Sequence, residues 1–210
     1  DYAVTGVQTC ALPIWEACRL VGSPQIRNVG TIGGNICNGS PAADSVPPLL
    51  ALDAQLTILR EGSTRTLSLK DFYVNKGKVL LNEDEILYAI TFKLPKEGEN
   101  VAFEKLGLRK ALAIARLSCS IFVSIGNELI IREIRIATGA MGTYPQREIQ
   151  VEQMMLGKKL NEALIEDGGK AMGDIARQRL GERRSAAFKL EAIQGMFSKA
   201  LRRAVEEGKV

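Results

Sequence analysis

The amino-acid sequence predicts an α+β fold built from two domains in tandem. Apolar and polar residues alternate over 54–60 and 64–69, which is typical of a strand hairpin in the first half. Three further strand patterns, at 101–106, 115–125 and 128–138, follow one another as in an antiparallel meander. Beyond these strands the apolar spacing becomes helical. This order of elements favours antiparallel sheets with helices over a parallel doubly wound sheet.

The first domain, predicted at 15–96, is expected to begin with the end of a helix and a long polar loop. Residues 15–20 have the character of a last helical turn that Gly22 terminates. Residues 23–40 are rich in Gly, Ser, Asn and Pro and are predicted to form one loop, and loops of this length usually carry function. The remaining predicted elements are a helix at 44–52, the hairpin at 54–60 and 64–69, a helical turn at 69–73 and a strand at 85–94.

The second domain, predicted at 101–208, follows a polar and turn-forming stretch at 95–100 that is the best candidate for a linker. After its three strands the pattern predicts helices at 147–156, within 161–180 and at 185–207. The last of these helices carries a broad apolar stripe made of Phe188, Leu190, Ile193, Met196, Phe197 and Leu201.

Composition excludes several classes of function. The 210 residues are 46% hydrophobic and 25% charged, which is typical of a globular protein, and a net charge of +4 is too small to indicate nucleic-acid binding. The absence of histidine excludes Ser-His-Asp and Cys-His catalysis and histidine-ligated metals. The four cysteines form no CxxC pair, so neither a zinc ribbon nor a disulfide framework is expected. A cytoplasmic location is therefore expected, with no membrane span.

The N-terminal segment has an unusual sequence. Residues 4–14 resemble the translation of a common short-read sequencing adapter. We therefore expect residues 1–14 to be non-native and poorly packed, and the natural protein to be truncated at its N-terminus. The alternative is a native strand that ends at Pro13.

A glycine-rich segment is the strongest candidate for a ligand site. Gly30, Gly33 and Gly34 allow sharp turns and a close approach of the backbone to a bulky ligand. Thr31 and Asn35 add neutral hydrogen-bond donors, which suits a pyrophosphate bound without lysine. The segment has neither a Walker A pattern nor a Rossmann fingerprint. A glycine-rich turn without a ligand is the alternative.

The same segment resembles a known family. Residues 26–36, followed by Ser40–Asp44, resemble the second FAD-binding motif of the molybdenum hydroxylase flavoproteins, of the xanthine dehydrogenase and carbon monoxide dehydrogenase type. Three further stretches are similar to landmarks of that family in the same order: Phe103–Lys105, Pro145–Arg147 with Glu152, and Arg184–Lys189. The resemblance implies the second half of a PCMH-type FAD-binding subdomain, followed by a CO dehydrogenase flavoprotein C-terminal-like domain with a three-stranded antiparallel sheet and helices.

The resemblance also implies the residues that bind FAD. The FAD pyrophosphate would lie against Thr31, Ile32, Gly33, Gly34 and Asn35. Asp44 would hydrogen-bond the cofactor, although the residues alone favour an N-cap of the following helix for it. Lys105 would reach the flavin side. No side chain is assigned as a catalytic group or as a metal ligand.

The implied function is electron transfer within a larger enzyme. FAD would receive electrons from 2Fe–2S clusters on a small partner subunit, beside a molybdopterin-binding large subunit, and pass them to NAD or another acceptor. The family's earlier glycine-rich loop, of the Ala-Gly-Gly-Thr-Asp kind, is missing from this sequence, so we expect the chain alone to bind FAD weakly or not at all and to be inactive. Two alternatives remain: a relative of the PCMH-type UDP-acetylmuramate reductases, or a flavin-free assembly subunit.

Overall fold

Antiparallel sheets and the helices beside them form the part of the chain that the computed structural model describes, residues 12–109 and 112–206. The helices are α1 Leu12–Arg19, α2 Pro24–Val29, α3 Ile32–Cys37, α4 Val46–Ala51, α5 Ile149–Met155, α6 Glu162–Leu180 and α7 Ala186–Glu206. The strands are β1 Gln55–Arg60, β2 Ser63–Ser68, β3 Tyr73–Asn75, β4 Lys78–Val79, β5 Ile86–Thr91, β6 Glu99–Leu106, β7 Leu117–Ile125, β8 Ile131–Gly139 and β9 Gln146–Arg147. The predicted α+β class is confirmed. No helix in the described ranges is long and apolar enough to cross a membrane.

The long loop predicted at 23–40 is wrong, because two short helices occupy most of it. Ser23 caps α2: its hydroxyl oxygen accepts a hydrogen bond from the amide of Ile26 at 3.3 Å, and Pro24 opens the helix. Thr31 caps α3 in the same way, accepting from the amide of Gly34 at 2.9 Å. Each capping hydroxyl accepts a hydrogen bond from a first-turn amide that has no carbonyl acceptor within its own helix. These bonds stabilise six-residue helices in a glycine-rich stretch.

The first domain packs a small sheet and α4 around a common core. The sheet has the order β2-β1-β5, and its predicted hairpin turns at Gly62, whose φ of +73° suits glycine. The second hairpin, β3-β4, lies in a stretch where no strand was predicted. Every residue of α4 is buried, and Pro47 and Pro48 lie in its first turn, where no intrahelical amide bond is lost.

The second domain is an antiparallel sheet on which helices α5 and α7 pack, and α6 packs on both of these helices. Its strand order is β6-β7-β8-β9. The prediction of three strands is wrong, because the sheet has a fourth strand, β9. This strand pairs with β8 over two residues, and it overlaps the predicted start of a helix at 147. Because β9 has only two residues, it offers too short a sequence pattern for period-two alternation to be recognised.

The two domains share a packed interface. Phe122 and Ala137 of the second sheet are buried in the same hydrophobic cluster as Leu49 and Leu50 of α4. The guanidinium of Arg135 lies 3.7 Å from the ring centroid of Phe122 and donates a 2.6 Å hydrogen bond to the carbonyl of Ala51. Strand β6, which carries Lys105, is thereby held against the first domain.

Most of the predicted non-native segment, residues 1–11, lies outside the described residues. Pro13 and Ile14 lie in the first turn of α1 and are buried. Ile14 is 8% exposed and belongs to the core of the first domain. The expectation of poor packing is therefore wrong for these two residues.

Candidate functional site

A cavity of about 710 Å³ opens at the glycine-rich segment. Four of the five residues predicted to contact the pyrophosphate line it: Thr31, Ile32, Gly34 and Asn35. Gly33 faces inward instead, because a Cβ atom built on it would lie 3.8 Å from the side chain of Leu87 on β5. The short helix α3 thus presents one edge to the cavity and the other to the sheet.

Because Gly34 has no side chain, nothing projects from this position into the cavity. A Cβ atom at this position would lie 3.0 Å from the hydroxyl oxygen of Thr31, which is tighter than ordinary packing. That hydroxyl is the cap of α3, so a side chain here would disturb the cap and also enter the cavity. The residue is exposed, and its backbone is therefore open to a bulky ligand.

Asn35 is held in place from the start of α4. Its side-chain oxygen Oδ1 accepts a 2.7 Å hydrogen bond from the hydroxyl of Ser45. Because this oxygen is engaged, the group that Asn35 can present to a ligand is its amide NH₂, a neutral donor. Ser45 also lines the cavity, and sequence reasoning did not assign it a role.

Asp44 and Lys105 meet across the domain interface. The Nζ atom of Lys105 lies 2.6 Å from Oδ2 of Asp44, and each side chain is 6% exposed. Lys105 also donates a 2.8 Å hydrogen bond to the carbonyl of Leu20. Ser45, not Asp44, is the N-cap residue of α4, so the alternative prediction of a capping role for Asp44 is wrong.

The second oxygen of Asp44 has no hydrogen-bond partner among the described residues. This atom, Oδ1, is buried. Burial raises the pKa of Asp44 above its usual range, and the hydrogen bond and charge of Lys105 counteract that rise. A buried acceptor without a donor is costly, so this oxygen marks an unsatisfied position next to Ser45, which lines the cavity.

A second hollow of about 590 Å³ adjoins the first and contains the predicted flavin-side residue. Lys105 lines it, and Arg19 and Arg27 line both hollows. Arg27 is fixed by hydrogen bonds from its Nη1 atom to the carbonyls of Val21 at 2.9 Å and Gly22 at 3.1 Å. Sequence reasoning missed both arginines, although Arg27 stands inside the motif that it singled out.

These residues fit the phosphates and the polar chain of FAD. The exposed backbone at Gly34 permits close approach, Thr31 and Asn35 offer neutral polar groups, and two arginines supply positive charge. Asp44, whose Oδ1 atom has no partner among the described residues, lines neither hollow, but its neighbour Ser45 lines the first and its ion-pair partner Lys105 lines the second. The donor set therefore matches the chemistry of a dinucleotide with a pyrophosphate.

Sequence profiles of two domain families cover nearly the whole chain. Residues 3–96 match the FAD binding domain in molybdopterin dehydrogenase. Residues 102–204 match the CO dehydrogenase flavoprotein C-terminal domain. The two matches lie in the order that the sequence landmarks predicted.

Individual proteins agree with these profiles. The chain is 33% identical to the nicotinate dehydrogenase FAD-subunit of Eubacterium barkeri, over 89% of this chain and 64% of that protein. It is 36% identical to the putative xanthine dehydrogenase FAD-binding subunit of Escherichia coli K12, over 90% of this chain and 65% of that protein. The chain thus spans slightly less than two thirds of these relatives.

Solved structures show the same fold. A chain of carbon monoxide dehydrogenase from Hydrogenophaga pseudoflava superposes with a TM-score of 0.87 at 27% identity, over 96% of this chain and 69% of that one. Fold, motif and both domain profiles agree. The chain therefore belongs to the molybdopterin dehydrogenase flavoprotein family, with an FAD-binding domain followed by a CO dehydrogenase flavoprotein C-terminal domain.

Proposed function

We propose that this chain binds FAD and carries electrons within a molybdenum hydroxylase of the xanthine dehydrogenase type. The observation that carries the proposal is the cavity at the glycine-rich segment, where an exposed backbone, neutral polar groups and two arginines converge. Flavin, when bound, supplies the redox chemistry, and the protein supplies binding, orientation and electrostatics.

Each predicted site residue has a role in this proposal. Thr31 and Ile32, with Gly33, Gly34 and Asn35 of α3, hold the pyrophosphate. Asp44 accepts a hydrogen bond from the cofactor through its free oxygen.

Lys105 has two roles in the proposed site. It forms an ion pair with the buried carboxylate of Asp44, and it contributes positive charge to the adjoining hollow on the flavin side.

The proposed enzyme has further subunits. The names of the relatives, FAD-subunit and FAD-binding subunit, support an assembly in which other chains carry the remaining cofactors. We propose a small subunit with 2Fe–2S clusters as electron donor, a large molybdopterin-binding subunit as the site of substrate oxidation, and NAD or another molecule as acceptor. The assembly is proposed to be cytoplasmic.

The test is FAD binding by matched leucine variants. Purified chain is titrated with FAD, and the flavin fluorescence is followed. We expect any binding to be weak and to be abolished by Gly34→Leu, because the new side chain would enter the cavity and disturb the Thr31 cap. Gly195→Leu is the control, since a Cβ atom on that exposed glycine of α7 meets nothing within 4 Å.

Two results would contradict the proposal. One is the absence of a flavin absorption spectrum from a purified full-length homologue, which would favour a flavin-free assembly subunit. The other is equal FAD affinity of Gly34→Leu and Gly195→Leu, which would place the cofactor elsewhere.

A further inference from the structure

We propose that the β3–β4 hairpin positions helix α3, and that Tyr73 and Gly77 of this hairpin are its positioning residues. The inference rests on the proposed function for what α3 binds, namely the phosphates of the cofactor. Tyr73 and Gly77 line neither hollow of the candidate site, so they would act through α3 and not by contact with a ligand.

A helix as short as α3 needs support from the rest of the fold. It has six residues, two of them glycine, and helices of this length and composition are unstable in isolation. The cap of Thr31 stabilises the N-terminal end only. The last carbonyls of a helix have no donor within that helix, so the C-terminal end depends on groups from elsewhere.

Tyr73 supplies such a group. Its hydroxyl donates a 3.2 Å hydrogen bond to the carbonyl of Ile36, in the last turn of α3. The tyrosine is buried, and its ring packs edge-on against Phe72 at 5.5 Å and stacks on Tyr144 of the second domain at 5.9 Å. Because two neighbouring rings hold this side chain, its hydroxyl fixes the position of the helix end.

The turn of the hairpin makes a second contact. The amide of Gly77 donates a 3.0 Å hydrogen bond to the carbonyl of Gly39, two residues beyond the end of α3. A Cβ atom built on Gly39 would lie 2.9 Å from the Cα atom of Gly77. The φ angles of the two glycines are +61° and +67°, and only glycine combines such angles with so close an approach.

The ligand-facing groups of α3 lie at its other end. Thr31, Gly34 and Asn35 line the glycine-rich cavity, whereas the hairpin holds the carbonyls of Ile36 and Gly39. A site that is ordered before its ligand arrives loses less conformational entropy on binding. The hairpin would therefore favour phosphate binding by keeping α3 in its binding arrangement.

The experiment is amide hydrogen exchange of the full chain in the absence of FAD, read residue by residue by NMR. Only Ile36 of α3 is buried, so its amides should exchange through local opening of the helix. The probes are the amides of Asn35 and Asn38, which donate to the carbonyls of Thr31 and Gly34. We expect Tyr73→Phe, which removes one oxygen atom, to speed their exchange about threefold or more.

Gly39→Ala tests the second contact, because its new Cβ atom would push the hairpin away from α3. The same acceleration is expected at the Asn35 and Asn38 amides. Its control is Gly62→Ala, at a φ of +73°, where a Cβ atom suffers the same backbone strain but meets nothing within 4 Å. Gly62→Ala should lower the urea midpoint and leave the exchange of α3 unchanged, since a loss of global stability alone does not promote local opening.

Tyr144→Phe is the control for Tyr73→Phe. Within the described residues the Tyr144 hydroxyl forms no hydrogen bond, and the variant keeps the stacked ring, so the exchange of α3 should not change. Unchanged exchange of α3 in both Tyr73→Phe and Gly39→Ala would overturn the inference, and so would equal acceleration by Tyr73→Phe and Tyr144→Phe.

The outcome is independent of FAD binding. A full-length homologue without flavin would contradict the proposed function, whereas only the exchange of α3 decides whether the hairpin positions it. Circular dichroism and urea denaturation of each variant check that it folds. If Gly39→Ala does not fold, the comparison of Tyr73→Phe with Tyr144→Phe still decides the inference, because each of these variants removes a single oxygen atom.

Discussion

The buried pair of Asp44 and Lys105 joins the predicted cofactor site to the second domain. Its partners lie 61 positions apart in sequence and come from an irregular segment and from β6. The sequence motif identified both residues, but local pattern could not place them together, because long-range pairing depends on how the domains pack. Removing one charge of such a pair leaves the other buried without compensation.

We expect Lys105→Met to lower the free energy of unfolding by about 3 to 5 kcal/mol at neutral pH. A carboxyl whose pKa is raised in the folded state stabilises that state below its unfolded pKa and loses this contribution as the pH rises. The penalty of Lys105→Met should therefore shrink as the pH falls and Asp44 takes up a proton. Urea denaturation over a pH series measures it.

The exposed pair of Lys170 and Glu166 provides the control for this prediction. Lys170→Met removes a 2.8 Å ion pair whose side chains are 61% and 69% exposed, and no measurable change is expected. A penalty of Lys105→Met that stays constant with pH would contradict the prediction, since it would point to lost packing instead of an uncompensated Asp44 carboxylate.

Helices α2 and α3 show where prediction of elements from the sequence fails. Composition at 23–40 indicated a loop, because the stretch is rich in turn-forming residues and too short for helical periodicity. The deciding signals were the capping residues Ser23 and Thr31 and the proline after Ser23. By contrast, α6 and α7 were found from their apolar spacing, since each spans five or more turns at about 3.6 residues per turn.

We expect Thr31→Ala to weaken α3 and FAD binding together. The change removes the acceptor of the Gly34 amide, which is worth about 1 kcal/mol at a helix N-cap. Thr31→Ser keeps the hydroxyl and should restore both stability and binding. Denaturation midpoints and FAD titrations of the two variants test this, and Thr31→Ala with unaltered affinity would show that the cap does not shape the cavity.

At the scale of the whole molecule, the order of the two domains follows from sequence landmarks, whereas their interface does not. Phe122 and Arg135 are on strands of the second domain, yet they pack on and hydrogen-bond to α4. Tyr73 and Tyr144 stack across the same interface, with ring centroids 5.9 Å apart. These contacts need both domains to be folded, and no local periodicity encodes them.

The shared interface predicts that the two domains unfold in one transition. The near-ultraviolet circular dichroism includes the stacked Tyr73 and Tyr144 at the interface, with Trp15 and Tyr88 as the other tryptophan and tyrosine contributors among the described residues, and the far-ultraviolet dichroism is dominated by α6 and α7. We expect both signals to change at the same urea concentration.

Arg135→Gln tests whether the interface causes this coupling. The substitution removes the donor to the Ala51 carbonyl and the contact with Phe122, which should cost about 1 to 3 kcal/mol and separate the two transitions, with the tyrosine signal lost first. Arg177→Gln, at an exposed and distant ion pair, should leave the transitions coincident. Separate transitions in the unaltered chain would contradict the coupling, because domains that unfold independently gain no stability from their shared core.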